Sequence, residues 1–177
     1  KLREEVRFTP YFKAHTIENM KLSNFTQRDE RHHNNLIIGY SGLSVYSKED
    51  LNIQAVGNVF LAGAKPSMHD KDALIDEGFN PQPKLEKKAD GWWLTMNVDP
   101  SWITRQNRVL VTTDILGRAM VPDQAYENPD GSPLQIDTDY SEKTRNSENP
   151  APGPFRDLEG KSIHLKVWPK LSLLEFD

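Results

Sequence analysis

The 177-residue chain has no cysteine, which excludes disulfides, thiol catalysis and cysteine-based zinc sites. It has no apolar run near the roughly 20 residues of a membrane-spanning helix. It has no excess of positive charge. The net charge is −4 and the pI about 5.8, so nothing points to a polyphosphate ligand. A glycine-rich phosphate loop, a serine-centred elbow, a His-Glu-x-x-His run and a basic amphipathic helix are also missing. Those absences set aside nucleotide enzymes, common serine hydrolases, zinc proteases and membrane-surface helices. Apolar residues make up only 36% of the chain and the mean hydropathy is −0.70. Such a composition fits a β-rich or loop-rich protein with long polar excursions, in one domain or two small ones.

What is present is a repeated phrase. Asn35-Leu36-Ile37-Ile38-Gly39 is echoed by Asn58-Val59-Phe60-Leu61-Ala62-Gly63. Each is a polar Asn, a short apolar run and a breaking Gly. The separation is about one coil of a parallel β-helix, within the 20–50-residue period of stacked repeats. In such a coil alternate residues of the apolar run turn into the core, and Asn side chains of successive coils bond each other as a ladder. Residues one period apart then lie one strand spacing apart, roughly 4.8 Å.

Elsewhere the elements are short. Residues 7–12 and 35–46 read as strand, and Ile53 to Leu61 as the next strand region. Residues 15–33 are polar and charged, as in a surface loop or a site. Ala73 to Glu77 suits a helical turn ended by Gly78, and Pro81 and Pro83 then mark an extended connection. Trp92 to Val98, Val109 to Thr113 and Ile163 to Val167 read as further strands. Between Gly117 and Phe155 lies a long Pro/Gly-rich and acidic stretch, expected as an ordered loop wrapped over the scaffold.

Three segments together resemble a known family. They are Arg7-Phe8-Thr9-Pro10-Tyr11-Phe12-Lys13-Ala14-His15-Thr16, Arg28-Asp29-Glu30-Arg31-His32-His33-Asn34-Asn35, and Gly57-Asn58-Val59-Phe60-Leu61-Ala62-Gly63-Ala64-Lys65-Pro66. They resemble the right-handed parallel β-helix glycosidases, most closely glycoside hydrolase family 120, the β-xylosidases. Ile136 to Tyr140 and Pro152 to Phe155 resemble the closing segment of many bacterial β-helix proteins. The resemblance implies an all-β fold: right-handed parallel β-helix coils over residues 1–90, then C-terminal strands and a long wrapping loop over residues 91–177, with one continuous domain as the alternative. The chain begins at Lys1 without Met or an apolar leader, and the expectation is the C-terminal part of a larger enzyme. N-terminal coils of the same enzyme on another chain are then a candidate partner. A periplasmic or extracellular setting is preferred to a cytoplasmic one.

The resemblance implies retaining hydrolysis of β-linked xylose, in plant-type polysaccharide or oligosaccharide, with an Asp nucleophile and a Glu acid/base. The nucleophile falls on Asp29. A retaining pair of carboxyls stands about 5–5.5 Å apart, close to one coil spacing. The position one period after Asp29 is Asn52, which is not an acid, and the nearest carboxylates are Glu49 and Asp50. Glu49 is taken as the acid/base. Arg28 also stands where the family has Gly. His15, Glu30, Arg31, His33 and Trp93 are the substrate-binding candidates. The plainer alternative for Asp29 is a surface ion cluster with Arg28, Glu30 and Arg31. His32 and His33 are adjacent and on a strand would point to opposite faces, a poor metal pair. Of Trp92 and Trp93 one ring could stack on a sugar, although core or edge packing accounts for each as well. No cofactor is expected. Asp123, Asp130, Asp137 and Asp139 could supply oxygens to a structural calcium, but Asx turns account for them more cheaply. The alternative function is a noncatalytic carbohydrate-binding or structural β-domain, or an inactive fragment of a larger enzyme.

Overall fold

A computed structural model describes residues 29–49, 51–120 and 123–169. The strand expected at residues 7–12 and His15 lie outside the described residues.

The first half is a stack of short parallel strands. β1 (Arg31–His33) pairs with β3 (Gln54–Val56), and β2 (Leu36–Ile38) pairs with β4 (Val59–Leu61). The register puts Leu36 against Val59, so the two repeated phrases lie on neighbouring rungs, 23 residues apart like Asn35 and Asn58. A third rung follows after a shorter step. β5 (Leu74–Asp76) pairs with β4 in parallel, Val59 against Leu74.

β5 corrects the helical turn expected over Ala73 to Glu77. Parallel pairing with β4 satisfies its backbone and buries Leu74 beside Val59, and this tertiary gain outweighs local preference. β1 likewise lies within what reads in sequence as a polar loop.

The second half is an antiparallel sheet. β6 (Lys84–Lys88), β7 (Gly91–Asn97) and β8 (Ser162–Trp168) lie in that order, with β7 central. The helices are single turns: α1 (Ser101–Thr104), α2 (Thr113–Leu116) and a 3-10 turn at Ser44–Tyr46. Val109 to Thr113 is not a ladder strand; only Thr112 forms a bridge, with Gln135. Residues 117–155 run as loops held by scattered bridges. The described structure is therefore mostly β, with little helix.

Period-two alternation assigns the core. Val59 and Leu61 face a cluster with Leu74, Met96, Val98, Trp102, Phe155 and Leu158. Phe60, between them, faces a second cluster with Leu43, Ile53, Ala55 and Ala64. All of β4 is thus buried, a strand covered on both faces. Inside the stack, Asn58 is fully buried and satisfied along the stacking direction. Its Oδ1 accepts from the backbone and side-chain N–H of Asn35 at 3.0 Å, and its Nδ2 donates to His32 O and to Asp70 Oδ2 at 2.9 Å. The hydrogen-bonded chain therefore runs Asn35, Asn58, Asp70, with Asp70 reaching Asn58 from a position in register with Ala55.

Candidate active site

Asp29 precedes β1, and the stack brings three donors to it. Arg31 Nη1 lies 2.5 Å from Oδ1, Asn52 Nδ2 lies 3.0 Å from the same oxygen, and the backbone N–H of Met120 lies 2.6 Å from Oδ2. Asn52 arrives by the same 23-residue step that pairs Asn35 with Asn58. Asp29 keeps 16% of its side chain exposed and Arg31 only 8%.

Arg31 is the hub. Its Nε donates to Leu116 O at 3.0 Å, its Nη2 to Arg118 O at 3.3 Å, and its guanidinium lies 5.7 Å from the Tyr126 ring. The start of the wrapping loop is thereby strapped over the first rung. The guanidinium fork suits this work, with five donors in a fixed plane. A carboxylate has about four lone-pair sites. Oδ1 takes two donors and Oδ2 one, so Oδ2 keeps a lone pair for an incoming electrophile.

The other candidates are spread around this point. The Glu30 carbonyl accepts from Gln54 N at 3.0 Å and the residue is half-buried. His32 and His33 both lie on β1. The His32 ring tilts against Tyr46 at 5.2 Å. Burial lowers the pKa of both histidines, and their Nε2 atoms are buried without a partner among the described residues. Glu49 lies exposed in the turn ahead of Asn52, with no hydrogen bond or ion pair to another described residue.

Trp93 sits on the antiparallel sheet. It stacks on His164 at 4.7 Å, donates from Nε1 to Asp90 at 3.0 Å, and carries the Lys88 ammonium 4.7 Å from its ring centre.

Among the described residues no three His, Asp or Glu side chains gather as a metal site. Asp130 and Asp139 close Asx turns onto Ser132 and onto Ser141 and Lys143. The Asn52 contact was readable from the repeat period. The Met120 contact was not, because a backbone N–H 91 residues away carries no side-chain signature.

Among solved structures the chain is similar to XylC in its complex with xylose, with a TM-score of 0.71 and 25% identity. The fold is XylC-like. The match covers 80% of this chain and 26% of that one, so the chain spans about a quarter of XylC's length. No family model and no curated protein matches.

Proposed function

We propose that this chain carries the sugar site of a xylosidase-like glycoside hydrolase, with Asp29 as the nucleophile of a retaining reaction. The observation that supports this most is Asp29 itself. It is oriented by three donors at the edge of a XylC-like scaffold and retains a lone pair on Oδ2. Asp29 attacks the anomeric carbon and forms a glycosyl ester, which water then releases. Arg31 holds the carboxylate aimed. Glu30, beside Asp29 in the chain and half-buried, is the neighbour that can meet a sugar hydroxyl. The stacked parallel strands are read as coils of a right-handed parallel β-helix.

The test is hydrolysis of a panel of aryl glycosides, β-xyloside included, by the wild type and Asp29→Asn. One member should be cleaved, with a loss of about 10⁴-fold or more in the variant. Activity that survives in Asp29→Asn would sink the assignment. Asn52 opposite Asp29 favours a second reading, a carbohydrate-binding module without turnover. In that case xylo-oligosaccharides bind in calorimetry and no member of the panel is cleaved.

A further inference from the structure

We infer that the substrate of this site is a glycoside whose aglycone leaves without being protonated, such as xylose linked to an acidic phenol or to a carboxylic acid. The inference rests on Asp29 as nucleophile. Asn52 carries it. That residue lies one rung from Asp29, with Nδ2 3.0 Å from Oδ1. Neighbouring rungs lie about 4.8 Å apart, and the two carboxyls of a retaining site about 5–5.5 Å. Asn52 therefore stands where the second carboxyl would stand. An amide donates and accepts hydrogen bonds but has no proton to give or take near neutral pH.

Among the described residues, the two other acids nearby do not fill the gap. The Glu30 carbonyl accepts from Gln54 N, and its carboxylate acts electrostatically on His32, on the side of the strand opposite Arg31, which holds Asp29. Glu49 is exposed and unanchored among the described residues.

The chemistry then balances without an acid. Asp29 Oδ2 bonds to the anomeric carbon as the bond from that carbon to the aglycone oxygen breaks. The bonding pair departs with the aglycone as a resonance-stabilised phenolate or carboxylate. Water next attacks the anomeric carbon, Asp29 leaves as carboxylate, and the water proton passes to bulk solvent. With an amide at position 52 and no base beside Asp29 among the described residues, the second step is slow. An anion that needs no deprotonation, such as azide, should overtake water and yield the glycosyl azide.

The experiment compares dinitrophenyl, nitrophenyl, phenyl and methyl β-xylosides and xylobiose, with and without azide. The wild type should cleave the dinitrophenyl substrate and fall away steeply along the series, and azide should speed its turnover about 10-fold or more. General acid/base help is worth about 10²–10⁴-fold. Asn52→Glu should therefore gain about 10²-fold on phenyl and methyl xylosides and lose the response to azide. Should that variant fail to fold, the wild-type series and the azide product decide alone. Equal rates along the series without an azide effect would overturn the inference. Peptide mass spectrometry after a dinitrophenyl fluoroxyloside separates the two claims. An Asp29 ester with a flat series overturns only the substrate class. No ester and no cleavage overturn the nucleophile as well.

Discussion

Asp70 ends the Asn35–Asn58 ladder with a carboxyl where an amide would do. It is 7% exposed, and its Oδ1 has no hydrogen-bond donor among the described residues. Burial, and secondarily the neighbouring Asp72 charge, push its pKa up to about 6, against a lowering bond from Asn58. The folded state therefore holds its proton more tightly than the unfolded chain. The stability it contributes is complete below the unfolded value of 3.8 and is lost as pH rises through about 6. His32 and His33 act in the opposite sense. Burial lowers both, so their contribution is present above the ordinary histidine value of 6.5 and is lost as pH falls through their lowered values. Comparing Asp70→Asn with the wild type isolates the carboxyl. In urea melts the variant should match the wild type near pH 4 and exceed it by about 1–3 kcal/mol above pH 7. A constant difference across that range would contradict a raised Asp70 pKa. Arg31→Ala should cost about 2–3 kcal/mol, because it strips a half-buried carboxylate of its cation and frees the Leu116 and Arg118 carbonyls. Raised protease sensitivity near residues 116–120 should accompany that loss.

Short parallel strands stack here only if the chain turns sharply between them, and Gly42 shows how tightly. Its φ is +59°, and a Cβ there would lie 2.4 Å from the Lys65 carbonyl of the next rung. Gly42→Ala should therefore cost about 3 kcal/mol or more, read as a lowered midpoint in thermal melts. The elements that were legible in sequence are those with a repeated phrase or a clean alternation. β2 and β4 announce themselves by the Asn-led runs, β7 by Trp92 to Val98, and β8 by Ile163 to Val167. β5 was not legible, because its step from β4 is shorter than the first step and no Asn marks the rung. β6 escaped for a different reason. Its Lys84-Leu85-Glu86-Lys87-Lys88 run is charged on both faces and is a strand because β7 pairs with it. Of the candidate site, the coupling of position 29 to position 52 followed from the period, while the Met120 donor and the carbonyls that receive Arg31 are backbone groups that leave no trace in composition.

At the scale of the molecule one core joins the two halves. Trp102 is fully buried between the parallel stack and the antiparallel sheet, in edge contact with Phe79 at 4.9 Å, and its Nε1 donates to Asp76 at 3.1 Å. Nearby, Arg108 is buried and clasps the stack, donating to Gly57 O at 2.8 Å and to Trp102 O at 3.0 Å. Burial pushes its pKa down to about 10, so it stays cationic at neutral pH. Trp102→Ala should cost about 3–5 kcal/mol. Hydrogen exchange should then rise together in β4 and β7, since both line the cluster around Trp102; exchange rising in only one of them would mean two independent units. The anchoring of Asp29 has a consequence of another kind. Its carboxylate ties together the first rung, the second rung and the wrapping loop, through Arg31, Asn52 and Met120. A lineage that had given up sugar chemistry would still need that knot to fold. Selection would therefore hold an acid at position 29 whether or not it reacts, and position 52, which supplies one of its three donors, is where a change of trade would be written, as the exchange of that donor for an acid.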